Sequence, residues 1–123
     1  MTENKFASWG CSRISKPDLA QTVSDLRPTL LHRLDLTEDP FSGKPIVYDS
    51  YRDCYCLEGA FKIKVRLSDK KYGEFIAETD TCNTYFRSCH AVREYSLVAQ
   101  GLGKSRLEAF DNMLETLQRE AYR

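Results

Sequence analysis

The segment Phe61–Leu67 alternates apolar and basic side chains without a break. Successive side chains of a β-strand point to opposite faces, so this period of two predicts a strand with one buried face. Its other face carries Lys62, Lys64 and Arg66. Such a strand needs neighbouring strands and a layer that covers its apolar face, so the rest of the chain must supply both.

Three further segments have strand character. Ser68–Gly73 is typical of a turn, and Glu74–Thr79 returns as the partner strand, with glutamates able to face the basic row. From Ile46 to a turn near Glu58-Gly59, β-branched and aromatic residues predict an irregular first strand. Asp80–His90 is interpreted as a polar connection. Val92–Gln100 is the last predicted strand, with Tyr95, Leu97 and Ala99 on one side.

Helices are predicted at both ends of this strand region. Ser105 with Glu108 three residues later forms a capping box, and an apolar stripe then predicts a helix from about Arg106 to Ala121. Near the other end, Ser15 is placed to cap a helix that Pro17 can start. A proline at position 28 must break that helix and can open a second short one up to Leu34.

The order of these elements predicts an α+β fold. A single antiparallel sheet of three to four strands packs against N-terminal and C-terminal helices. At 123 residues, 41% of them hydrophobic, the chain has length and apolar content for one core. We expect residues 1–14 to form an N-terminal arm and residues 15–123 to form one domain.

Composition and charge limit the classes of protein to which the chain can belong. Eighteen basic and eighteen acidic residues give a formal net charge of zero, whereas dedicated nucleic-acid binders usually carry an excess of positive charge. No apolar run reaches the roughly 18 residues of a membrane span, and the N-terminus is too polar for a signal peptide, so we expect a cytoplasmic protein without membrane contact. Zero net charge also gives weak repulsion between copies, which favours homo-oligomers or a protein partner.

The five cysteines raise the question of metal binding. Cys54, Cys56, Cys82 and Cys89 are enough soft ligands for a tetrahedral zinc site, but the usual pair with two intervening residues is missing. We therefore expect reduced, mostly buried thiols and no metal or other cofactor. Cys89 and His90 are neighbours whose side chains diverge in an extended chain, so they predict no catalytic pair and we expect no enzyme.

A tyrosine-rich acidic strip is the candidate protein-binding site. Tyrosine gives a large contact area at a small entropy cost and is enriched in interface hot spots. The alternative is that these tyrosines pack the first strand against the helices. The strip consists of Tyr48, Asp49, Tyr51, Asp53 and Tyr55.

The segment Gly101–Phe110 resembles the junction of the last strand and second helix of the double-stranded RNA-binding domain. Gly101, Gly103, Ser105 and Ala109 match the family pattern, and Arg106 can replace its first lysine, but Leu107 and Phe110 occupy the other two basic positions. The resemblance implies binding of duplex RNA, with phosphate contacts at the helix N-terminus. The candidate nucleic-acid site on this hypothesis comprises Lys62, Lys64, Arg66, Lys104 and Arg106.

At the level of size and element order alone, the chain also resembles small helix-strands-helix proteins encoded by bacteriophages and prophages. That resemblance implies a viral protein that binds a host protein, for instance as an inhibitor of a bacterial defence system; no single residue carries it. The sequence therefore predicts a non-enzymatic protein-binding regulator, with an RNA-binding domain as the alternative.

Overall fold

The fold is taken from a computed structural model, which describes residues 14–36, 54–57, 59–70 and 73–123. The described elements follow one another as two short helices, four strands and a long helix. Their bounds are α1 Lys16–Asp25, α2 Arg27–Arg33, β1 Cys54–Leu57, β2 Phe61–Leu67, β3 Phe75–Arg87, β4 His90–Gly103 and α3 Arg106–Ala121.

The four strands form one antiparallel sheet in the order β1-β2-β3-β4. One sheet with helices from both ends of the chain confirms the predicted α+β class. Phe61, Ile63 and Val65 of β2 are fully buried beneath the helices and Leu67 is partly buried with them, which confirms the face assigned from the alternation. We call the sheet face beneath the helices the covered face, and the face that carries Lys62, Lys64 and Arg66 the open face.

The helix ends follow from local sequence. Ser15 accepts a hydrogen bond from the Asp18 amide at 3.3 Å and Ser105 accepts one from the Glu108 amide at 3.1 Å, as expected of N-cap serines. These caps confirm the predicted start of α1 and the predicted start of α3. Most of the apolar stripe of α3 is buried, and Met113, outside the predicted stripe, is buried with it.

The second half of the sheet departs from expectation. β3 runs on to Arg87 and β4 begins at His90, so Asp80–His90 is not a polar connection but two paired strand segments and a two-residue turn. The predicted common side of Tyr95, Leu97 and Ala99 is also wrong. Thr79 pairs with Ala99 while Asp80 pairs with Leu97, so Val98 is an extra residue. This β-bulge turns Leu97 and Tyr95 to the open face and leaves Ala99 buried.

Candidate interaction surface

Most of the tyrosine-rich strip lies outside the described residues; this holds for Tyr48, Asp49, Tyr51 and Asp53. Tyr55 is described and half-buried on β1, where its ring centroid lies 6.2 Å from that of Phe61. Because Tyr55 pairs with Ile63, it belongs to the covered face of the sheet. At this one position, the structure matches the packing alternative rather than an exposed contact.

The basic row lies on the open face, as its alternation predicted. Arg66 donates to Glu78 on β3 at 3.1 Å and to Asp69 in the following turn at 3.0 Å. The ammonium of Lys62 lies 5.2 Å from the ring centroid of Tyr95 on β4, within the range of a cation–π contact. Two of the three cations in the row therefore already have partners within the sheet.

Arg106 is not placed to contact a phosphate. Its side chain is only 8% exposed. Its guanidinium donates to the Leu34 carbonyl at 2.8 and 3.2 Å and lies 6.0 Å from the ring centroid of Phe75. The carbonyl belongs to the C-terminal cap of α2, where helical carbonyls need partners from outside the helix. Lys104 is exposed and lies just before the N-cap of α3.

The two glycines of the RNA-binding-domain resemblance have a packing reason. A Cβ built on Gly101 would lie 2.1 Å from the Met113 amide nitrogen, and one on Gly103 would lie 2.5 Å from the Ala109 nitrogen. Both contacts are with the backbone of α3, which therefore sits directly against β4. The close approach of the helix accounts for the glycines without any contact to RNA.

The four described cysteines do not form one site. Cys54 and Cys56 share the open face of β1 with their sulfur atoms 3.5 Å apart, Cys82 is buried, and Cys89 lies at the exposed turn between β3 and β4. The expectation of mostly buried thiols is therefore wrong for the described ones. Among residues 14–36, 54–57, 59–70 and 73–123, no group of three or more His, Cys, Asp or Glu side chains is arranged to hold a metal ion.

The thiol of Cys54 is poorly suited to nucleophilic chemistry. Burial, the hydrogen bond with Cys56 and the neighbouring Cys56 charge raise its pKa to about 11, against a smaller opposing effect of Lys62 and Lys64. Because the thiolate is the nucleophilic form of cysteine, a raised pKa leaves Cys54 protonated near neutral pH.

The prominent feature that sequence reasoning missed is a two-stranded arm. β2 ends at the pair between Phe61 and Thr81, but β3 and β4 continue for six more pairs, from Cys82 with Tyr95 to Arg87 with His90. At about 3.3 Å per residue, this two-stranded arm extends about 20 Å beyond the described end of β2. We call residues 82–95 the arm.

The open face of the arm carries exposed apolar side chains. Phe86 is 63% exposed and pairs with Ala91, while Tyr95 is 44% exposed at the base. Just beyond it, Leu97 is 51% exposed. Because strand partners share a face and side chains alternate, these residues continue the open face of the sheet. The open face of the arm therefore presents two exposed aromatic side chains, one on each side of the pair between Thr84 and Arg93, and exposed large apolar side chains are typical of binding sites.

The turn at the end of the arm is strained. Ser88 and Cys89 join the pair of Arg87 and His90 with φ values of 50° and 65°. A two-residue hairpin with positive φ at both positions is usually built from Asn-Gly or a similar pair, because a Cβ disfavours the left-handed region. The sequence signal for a hairpin was therefore absent at this turn, although aromatic and β-branched residues flank it.

Asp80 marks the base of the arm, opposite the bulge. Burial and, to a smaller extent, the nearby Glu78 raise the pKa of its carboxyl, whereas Lys62 and Lys64 oppose the shift. Its Oδ1 atom is buried without a hydrogen-bond partner among the described residues. A carboxylate oxygen that is shielded from water without a hydrogen bond is destabilising, so the half-buried Asp80 lowers the stability of the sheet at the start of the arm.

Comparison with known proteins adds no relative. No protein-family model, no curated protein and no solved structure matches this chain. Within the described part of the chain, no helix is long and apolar enough to cross a membrane. The two family resemblances noted from the sequence therefore stay predictions.

Proposed function

We propose that this chain is a non-enzymatic protein-binding regulator that contacts its partner through the open face of the arm. The observation that carries the proposal is the exposed Phe86, on a two-stranded projection that no other described strand extends. An isolated two-stranded ribbon is marginally stable in water. A partner that covers its apolar face would supply the burial that the described chain does not.

Charge supports a protein partner over nucleic acid. The chain has zero net charge, the Arg66 guanidinium is engaged by two carboxylates, and Arg106 is buried with its guanidinium bonded to the Leu34 carbonyl. A nucleic-acid surface needs several cations free to displace counterions from phosphates. The arm, by contrast, carries Phe86, an exposed aromatic side chain of the kind that dominates protein interfaces.

The kind of regulation proposed is occlusion. A non-enzymatic regulator of this kind acts by covering a surface of its partner, as the resemblance to bacteriophage-encoded inhibitors also implies. On that resemblance, the partner would be a bacterial host protein, for instance a component of a defence system. Bacterial extract is therefore the first source in which to search for the partner.

The test compares capture by three forms of the protein. The wild type, Phe86→Arg and Tyr122→Arg are immobilised and incubated with nuclease-treated extract, and bound proteins are identified by mass spectrometry. Tyr122 is an exposed aromatic residue just after α3, so its substitution controls for loss of a surface aromatic ring. We expect a partner retained by the wild type and by Tyr122→Arg but lost with Phe86→Arg.

The opposite results would be equally informative. Equal capture by Phe86→Arg would place the interface elsewhere and overturn the proposed surface. Duplex RNA added to the purified protein distinguishes the alternative function: an electrophoretic shift that weakens steeply with salt, and that is reduced by Lys104→Ala rather than by Phe86→Arg, would favour the RNA-binding domain.

A further inference from the structure

Two thiol groups form a close pair on the open face of the sheet, at its β1 side. Cys54 and Cys56 are separated by one residue of β1, so their side chains point to the same face. Their Sγ atoms lie 3.5 Å apart. Cys54 is half-buried and Cys56 is exposed, so the pair is open to solvent at Cys56. We call Cys54 and Cys56 the dithiol.

The spacing of the dithiol suits a bridging ion better than a disulfide. Alternate residues of a strand have Cα atoms about 6.6 Å apart, close to the upper limit for a disulfide, whose sulfurs must approach to about 2.05 Å. Metal–sulfur bonds of about 2.3 Å instead place two bound sulfurs about 3.8 Å apart at a tetrahedral angle and about 4.6 Å apart in line. From 3.5 Å, the two sulfurs therefore need to separate by about 1 Å or less to hold an ion.

The number of ligands limits the kind of ion. The sequence-based expectation of no metal was drawn for zinc, which takes four ligands in structural sites and three plus water in catalytic ones. In the described ranges, no third His, Cys, Asp or Glu side chain completes a metal-binding group with the dithiol. Copper(I) is a soft ion that prefers sulfur, and two thiolates can satisfy its coordination. A site of two sulfurs is therefore typical of copper(I) rather than zinc.

Two lysines supply charge of the sign that such a site needs. Copper(I) bound by two thiolates carries one net negative charge, because the ion offsets only one of the two. Lys64 is the strand partner of Cys54, and Lys62 is that of Cys56. Burial and the neighbouring Cys56 raise the pKa of the Cys54 thiol to about 11, against the opposing effect of both lysines. The two ammonium groups therefore act on this sulfur and favour an anionic complex there.

We propose that Cys54 and Cys56 form a two-coordinate site for one copper(I) ion. In the binding step the ion forms one bond to each sulfur, both thiol protons leave to solvent, and no electron is transferred. A coordinated metal ion displaces the proton of a thiol, so the raised pKa of Cys54 weakens binding without preventing it. Lys62 and Lys64 face the negatively charged complex from β2.

The dithiol is separate from the surface of the proposed function. It lies on β1 at one side of the sheet, whereas the arm extends β3 and β4 at the other. Partner capture depends on Phe86, and copper(I) binding depends on two sulfurs, so either can fail without the other. Cys54→Ser should abolish the copper site and leave the capture of a protein partner unchanged.

Competition with bicinchoninate, a chelator that is coloured when it holds copper(I), measures the affinity of the site. The reduced full chain is titrated without oxygen into the copper(I) complex of the chelator, and loss of colour reports the copper that the protein takes. We expect one copper(I) per wild-type chain. Cys54→Ser and Cys56→Ser should each bind about 100-fold or more weakly, beyond the effect of losing an outer-shell partner alone.

Cys89→Ser is the matched control, because it also removes one exposed thiol but lies at the turn between β3 and β4. It should keep the affinity of the wild type, and circular dichroism checks that all variants are folded. A wild type that takes no copper(I) from the chelator would overturn the proposal. So would a folded Cys54→Ser that binds as tightly as the wild type, or a Cys89→Ser that loses the site.

X-ray absorption at the copper edge identifies the ligands even if a serine variant does not fold. In the wild type loaded with one equivalent of copper(I), we expect two sulfur ligands and neither nitrogen nor oxygen. Three or more ligands, or a histidine nitrogen among them, would overturn the two-coordinate site.

Discussion

The same two strands, β3 and β4, behave as two different regions on either side of the bulge. Between Phe75 and Thr79, β3 lies beneath the helices, and alternate residues are buried. Beyond Asp80, the strands keep the same antiparallel pairing, but most of their side chains are half-buried or exposed. The backbone ladder is therefore shared by both regions, while the covering layer belongs to one of them.

The comparison distinguishes the contribution of backbone hydrogen bonds to a strand pair from the contribution of burial beneath the helices. In the covered region, burial of apolar residues adds to the ladder, and α3 touches the strand backbone closely enough to require glycine at position 101. In the arm, the described contacts join side chains of the two strands. For example, the Tyr85 hydroxyl donates to the Glu94 carboxylate at 2.7 Å. The arm is the region that we propose for recognition of a partner.

The largest expected effect is in the covered region. Gly101→Ala would bring a Cβ into the α3 backbone, so we expect it to cost about 3 kcal/mol or more of unfolding free energy. Gly73→Ala is the control, because a Cβ there meets no atom within 4 Å and only its φ of 77° opposes the change, at about 1 kcal/mol. Urea denaturation of the two variants measures the difference. Similar losses would show that α3 does not sit against β4 as described.

A somewhat smaller effect is expected at the contact between α2 and α3. Arg106→Met keeps most of the apolar stem but removes both hydrogen bonds to the Leu34 carbonyl, so we expect a loss of about 2 to 3 kcal/mol. Lys104→Met is the matched exposed control and should change stability by less than about 0.5 kcal/mol. Thermal unfolding compares the two. Equally small effects of the two substitutions would mean that the hydrogen bonds to Leu34 do not hold the Arg106 side chain. Arg106 would then again be a candidate phosphate ligand.

The covered region is also the part that could be predicted from sequence. The bounds of α3 follow from a serine cap and a buried stripe, and β2 follows from its alternation, because burial of one face imposes a period on the residues. These signals are local. The role of Arg106 could not be predicted, because its partner Leu34 is 72 residues away in the chain and nothing near Arg106 indicates it.

The arm could not be predicted because neither of its faces is fully covered. Without a buried face, polar and apolar residues need not alternate, and Asp80–His90 resembles a polar loop. Its turn uses Ser88 and Cys89, which are not the residues that normally indicate a two-residue hairpin. The bulge at Val98 was hidden for a similar reason: a single extra residue reverses the faces of a strand without changing its composition.

The turn offers a way to strengthen the arm alone. Replacing Ser88 by Asn and Cys89 by Gly supplies residues that accept positive φ, so we expect the hairpin to gain about 1 kcal/mol of local stability. Hydrogen exchange should then show slower exchange of arm amides, with little change in the covered region. Replacing both residues by alanine is the control, since alanine retains the Cβ strain. Faster exchange in the Asn-Gly variant would contradict the described turn.

The smallest expected effect lies at the boundary between the two regions. The pKa of Asp80 is raised above its ordinary value of 3.8, mainly by burial, so the folded state prefers the protonated acid. Above pH 3.8 the native protein binds more protons at this residue than the unfolded chain, and stability falls as pH rises through the raised pKa. Asp80→Asn removes the ionisation, so it should stabilise the protein at pH 7 by up to ~1 kcal/mol and bring less benefit below pH 3.8. Urea denaturation at pH 3 and pH 7 measures this difference. A variant less stable than the wild type at pH 7 would mean that the attraction of Lys62 and Lys64 for the Asp80 carboxylate outweighs the cost of its burial. Charge pairing would then stabilise the base of the arm.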